Sequence, residues 1–95
     1  MVSGKNSCNV EIEYCAQCRF ILRASWMAQE ILMTFGENIT SLCLKPSSGG
    51  VFTIRLDDEV LFSKKEKCRF PESKEIKQMI RDRVLPEMDL GHSDV

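Results

Sequence analysis

The chain has 95 residues, a formal net charge of −1, and 43% hydrophobic and 28% charged residues. That length supports one compact domain and excludes two, and the composition lets a core form without crosslinks or metal. Acidic and basic residues are interspersed rather than clustered, and no apolar run has membrane-spanning length, so neither nucleic acid nor a membrane is an expected partner.

Residues 1–9 include Ser3, Gly4, Lys5, Asn6 and Ser7 and read as a frayed tail. They lack the apolar stretch of a signal peptide, which makes a cytoplasmic protein the expectation, and Cys8 among them reads as an incidental exposed thiol. Five cysteines are an odd number that does not suit a fully paired disulfide framework. In a reducing compartment, cysteines this frequent point to catalysis, metal binding or burial.

The domain is expected over residues 10–86. Val10–Tyr14 alternates apolar and polar, the pattern of a strand with one buried face, and Cys15-Ala16-Gln17-Cys18 follows at once. From Cys18 the period becomes helical. Phe20, Ala24, Met27, Ile31 and Phe35 form one stripe, widened by Ile21, Ala28 and Leu32, and Gly36 terminates it. Leu22, Trp26 and Met33 form a second stripe, expected to pack under a loop or tail; left uncovered, it would be a partner-docking surface.

Ile39–Leu44 reads as a second strand, with Cys43 on its more open face, and Pro46-Ser47-Ser48-Gly49-Gly50 as the loop that ends it. Val51–Leu56 is a third strand, Asp57-Asp58 a tight hairpin turn, and Val60-Leu61-Phe62 a fourth strand. Lys64-Lys65-Glu66-Lys67 is a solvated charged exit. Pro71 suits the first position of a last helix and Glu72 its positive end. Ile76, Met79, Ile80, Arg83 and Val84 carry the inward stripe, and Pro86 stops it. Residues 87–95, with His92, read as a loose tail.

The order is β-α-β-β-β-α. Alternating strands imply an α/β two-layer sandwich, with a mixed four-stranded sheet wet on one face and both helices on the other. The right-handed crossover makes the first two strands parallel, and short connections make the later pairs antiparallel. Strand direction then gathers Cys15 and Cys18, residues 46–50 and Lys67-Cys68-Arg69-Phe70 at one end of the sheet, with Asp57-Asp58 at the other.

That end is where chemistry is expected. Two residues between cysteines allow a small disulfide ring at a helix start, where free amides and the helix dipole stabilise a thiolate. A thiolate attacks a disulfide and the second cysteine resolves the mixed disulfide, so Cys15 and Cys18 are the candidate catalytic pair. Arg19 adds positive potential or is simply solvated. Cys68 is a candidate auxiliary thiol brought to the same end. A zinc site would need a second close-spaced pair, which Cys43 and Cys68 do not make.

Several of these segments resemble one family. Glu13-Tyr14-Cys15-Ala16-Gln17-Cys18-Arg19, the Gly49-Gly50-Val51-Phe52 strand entry, the Lys64-Lys65 exit, Phe70-Pro71 and the ending Asp89-Leu90-Gly91-His92 are similar to the selenoprotein W-like (SelT/SelW/SelH, or Rdx) family, in its bacterial, cysteine-only branch. The resemblance runs from Val10 over nearly the whole chain. It implies a thioredoxin-like fold, matching the order above, and a part in cell redox homeostasis. Protein thiols or disulfides are the implied partners, with glutathione as co-reductant and no other cofactor. Selenium-containing relatives carry selenium at the position of Cys18, which favours that residue as nucleophile, whereas the helix start of thioredoxins favours Cys15. Both alternatives stand. The chain also departs from these patterns: Gly49-Gly50 stands where thioredoxins place a cis-proline, and Cys68-Arg69 where relatives have glycines before Phe-Pro.

Overall fold

In the computed structural model, residues 8–85 are described. The elements in chain order are β1 (Asn9–Cys15), α1 (Ile21–Phe35), β2 (Ser41–Ser47), β3 (Phe52–Leu56), β4 (Glu59–Ser63), α2 (Lys64–Lys67) and α3 (Ser73–Val84). The sheet order is β2-β1-β3-β4, with β1 and β2 parallel and the β1–β3 and β3–β4 pairs antiparallel. This is the expected mixed sheet, with one helical turn added. Residues 1–7, Pro86 as a helix stop, and the tail 87–95 with His92 lie outside the described residues.

The core follows from the two periodicities. Val10, Ile12 and Tyr14 from β1 and Phe52, Ile54 and Leu56 from β3 are buried on one sheet face. Ala24, Met27, Ala28, Ile31 and Phe35 of α1 and Ile76 and Ile80 of α3 close over it. The other face is polar, and there Arg55 of β3 pairs with Glu11 (2.8 Å) and Glu13 (3.0 Å) of β1.

Several local expectations are corrected. Cys8 is buried at the edge of the core, not frayed, because two bonds hold it to the chain before β2. Its N–H donates to Thr40 Oγ1 (3.1 Å) and its carbonyl accepts from the Thr40 N–H (2.8 Å). Strand β2 runs on through Pro46, paired with Tyr14. It is an edge strand, and Ser47 turns its carbonyl to β1, so the hydrogen-less nitrogen of Pro46 faces the open edge and costs no ladder bond. Helix α3 starts two residues beyond Pro71, capped by Glu72, whose N–H donates to Glu75 Oε2 at 2.8 Å in a capping box. Arg83 points outward and forks onto Glu59 (2.9 and 2.8 Å) instead of joining the core. Ile21 and Leu32, expected to widen the core stripe of α1, are exposed.

The Asp57-Asp58 hairpin forms as read. Both residues have positive φ (50° and 76°), as the primed two-residue turn requires, and Asp57 Oδ1 accepts from the Asn9 N–H at 3.0 Å. A register shift follows at Ile54/Arg55, where Leu61 is the extra residue and both Leu61 and Phe62 are buried.

The contrast between two thiols tests this packing. Cys8→Ser places a hydroxyl in the core and is expected to lower unfolding stability by about 1–2 kcal/mol. Cys43→Ser, on the exposed face, should stay within about 0.5 kcal/mol of wild type in the same urea titration. Equal effects would mean that Cys8 is not packed.

Candidate active site

Strand β1 lies between β2 and β3, and its last residue is Cys15. The Cys15 N–H donates to the Val51 carbonyl at 2.8 Å, and the Ala16 N–H to the Ser47 carbonyl at 3.0 Å. The start of the motif is therefore tied to both neighbouring strands. From there the chain turns tightly. Arg19 N–H donates to the Ala16 carbonyl (3.0 Å) and Phe20 N–H to the Cys15 carbonyl (3.2 Å). Arg19 closes the turn at φ 61°, a left-handed conformation that interrupts the helical path, and this is why α1 begins at Ile21 and not at Cys18.

Cys15 and Cys18 form a disulfide with Cα atoms 5.3 Å apart. Their environments differ: Cys15 is 2% exposed, while Cys18 lies in the exposed turn. Cys18 is also the closer of the two, along the chain, to the free amides at the start of α1.

An aromatic cluster supports the turn from below. The rings of Phe20 and Phe70 meet edge-to-face at 4.9 Å, Phe52 and Phe70 at 5.3 Å, and Phe20 and Phe52 at 6.4 Å. Cations cover it: the Arg23 guanidinium stands 4.0 Å from the Phe70 centroid, and the Lys64 ammonium 5.2 Å from Phe70 and 5.7 Å from Phe20. Composition did not reveal this cluster. Its signal was topological, since Phe20 follows the motif and Phe70 lies in the segment that strand direction brings to the same end.

Cys68 caps α2 with φ 60°, its N–H donating to the Lys64 carbonyl at 2.7 Å. A glycine would take that conformation without strain. Cys68 is an exposed free thiol two residues from Phe70, with no bond to Cys15 or Cys18. Leu22, Trp26 and Met33 are 75%, 47% and 79% exposed, so no described segment forms the expected cover. Among the described residues no group of three or more His, Cys, Asp or Glu side chains is arranged to hold a metal ion, and no helix is long and apolar enough to cross a membrane.

Beneath the motif, on the polar face, hydrogen bonds from Ser47 and then from Arg55 hold the Glu13 carboxyl below its ordinary value of 4.5. On the α3 side, the Arg69 fork onto Glu75 (2.6 and 3.0 Å) lowers the Glu75 carboxyl likewise.

The Rdx family model matches residues 9–82. No curated protein matches the chain. Among solved structures, a crystal structure of a protein from Bordetella parapertussis is 42% identical, with a TM-score of 0.81 over 83% of this chain and 100% of that one. A selenoprotein W-related protein from Vibrio cholerae is 41% identical, with a TM-score of 0.79 over 82% of this chain and 98% of its own.

A lowered carboxyl binds its proton more weakly in the folded than in the unfolded chain, so it stabilises the fold above its unfolded value and the gain is lost as pH falls through the folded value. Glu13→Gln is therefore expected to lower the melting temperature at pH 7. The gap from wild type should close as pH falls below about 4.5, where the native carboxyl protonates. A gap that is constant down to pH 2 would show that Glu13 is not held in this way.

Proposed function

This chain belongs to the Rdx family, and on that premise we propose that it is a thiol–disulfide redox protein in which Cys18 attacks and Cys15 resolves. The observation that carries this reading is the asymmetry of the pair: one sulfur in an exposed turn and the other buried at the end of β1. Attack on an incoming disulfide needs access, which Cys18 has. Resolution needs only that Cys15 reach Cys18 Sγ, and the turn holds the two residues within bonding distance.

The substrates in this reading are protein thiols and disulfides, with glutathione as co-reductant, and the role is cell redox homeostasis. Three further cysteines, Cys8, Cys43 and Cys68, remain thiols. Two exposed free thiols, Cys43 and Cys68, suit a reducing compartment, which supports a cytoplasmic setting. The exposed Leu22, Trp26 and Met33 support a second reading, in which the CxxC senses redox state and the stripe binds partners with little turnover.

The test is an equilibrium titration in thiol–disulfide buffers, with mass spectrometry of the bond. A reversible two-electron couple between about −120 and −270 mV is expected. Cys15→Ser should accumulate a mixed disulfide on Cys18, whereas Cys18→Ser should form none; the opposite pattern would exchange the two roles. A couple without turnover on any protein disulfide selects the sensing module, and no Cys15–Cys18 bond at any poise overturns both readings.

A further inference from the structure

Because β1 lies between β2 and β3, the connection joining those two strands has to arch over the end of β1, where Cys15 sits. Ser48, Gly49, Gly50 and Val51 make that arch, and with Lys64 and Lys65 they line an open hollow of about 230 Å³. Its wall is bonded to the motif, since Val51 takes the Cys15 N–H and Ser47, one residue before Ser48, takes the Ala16 N–H. Gly49 and Gly50 have φ of 76° and 75°, and a Cβ on either would meet nothing within 4 Å. The backbone of the turn is thus open to a ligand from above.

Two positive charges face this space. Neither Lys64 nor Lys65 pairs with a carboxylate among the described residues. Lys64 is already positioned by the Phe20 and Phe70 rings beneath it, which lowers the ordering cost of a contact. A hollow of this size admits a short arm of a small molecule, not a secondary-structure element of a partner.

We propose that this hollow is an anion subsite that receives a carboxylate carried by a small-molecule disulfide reacting at Cys18. The proposal rests on the dithiol-exchange reading above. In the reaction, the Cys18 thiolate attacks one sulfur of the disulfide. That S–S bond breaks, one half leaves as a thiolate that takes a proton from water, and the other half stays bonded to Cys18. The Cys15 thiolate then attacks Cys18 Sγ, closing the protein disulfide and releasing the second half as a thiolate that likewise takes a proton from water. Two protein thiols are oxidised and one disulfide is reduced to two thiols. The carboxylate takes no part in bond making; it holds the attached half beside the motif.

The experiment uses the full chain, reduced, and follows its oxidation by three small disulfides at low ionic strength. These are 3,3′-dithiodipropionate, bis(2-hydroxyethyl) disulfide and cystamine, which are anionic, neutral and cationic. The anionic reagent should outpace the neutral one and the cationic reagent should lag. In Lys64→Gln and in Lys65→Gln the anionic-to-neutral ratio should fall by about threefold, the scale of one partly exposed charge contact. In Lys67→Gln, on the same helical turn but outside the hollow, the ratio should not change. The neutral disulfide is the reference for general changes in thiol reactivity, and the ratio is read only for variants whose circular dichroism matches that of the wild type. A ratio that is flat across the variants, or that falls equally in Lys67→Gln, overturns the subsite. If even the neutral reagent closes no Cys15–Cys18 bond, the exchange reading itself fails.

Discussion

Two backbone hydrogen bonds at the end of β1, from Cys15 to Val51 and from Ala16 to Ser47, hold the reactive turn to the rest of the molecule. They exist because β1 is an inner strand, with β2 parallel on one side and β3 antiparallel on the other. A motif at the end of an edge strand would have one such anchor and a freer approach to the helix. Here the first cysteine is fixed in the sheet and buried, whereas Ala16, Gln17, Cys18 and Arg19 are exposed. The difference in exposure between the two sulfurs is thus a consequence of sheet order.

The same order explains the surroundings of the motif. A crossover from β2 to β3 must pass over the β1 terminus, and Gly49-Gly50 makes that passage with two left-handed residues. The antiparallel return of β4 then delivers Lys64 and the segment up to Phe70 to the same end. Phe70 meets Phe20 and Phe52 there, so residues from three separate stretches lock together under the turn. Arg23 and Lys64 are stacked on those rings, and neither pairs with a carboxylate among the described residues.

Much of this was legible in the sequence, and for identifiable reasons. Alternation in Val10–Tyr14 and in Phe52–Leu56 and the stripe Ala24–Met27–Ile31–Phe35 are local signals of burial, and the structure bears each of them out. Strand direction, which follows from connection length, put Cys15, Cys18 and Cys68 at one end and Asp57-Asp58 at the other. What escaped were features set by contacts distant in sequence. Cys8 is ordered through Thr40, 32 residues away. Pro46 continues a strand because that strand is at the edge, a fact of topology and not of local propensity. Arg83 sits on the inward spacing of α3, yet Glu59 of β4 draws it to the surface.

The start of α1 is the most instructive miss, because it sets the geometry of the motif. Helical periodicity runs back through Phe20, and nothing in Cys18-Arg19-Phe20 forbids a helix. The left-handed turn at Arg19 is a conformation that an L-residue adopts at a cost of about 1 kcal/mol, so the surrounding structure has to impose it. The disulfide, the Arg19 to Ala16 bond and the Phe20 ring on Phe70 together do so. If the helix began at Cys18, that cysteine would occupy the first helical turn, with its amide among those left free by the helix. With the helix delayed by three residues, Cys18 lies in an exposed turn while Cys15 ends the strand. One left-handed residue after the motif therefore keeps Cys18 in an exposed turn outside the helix.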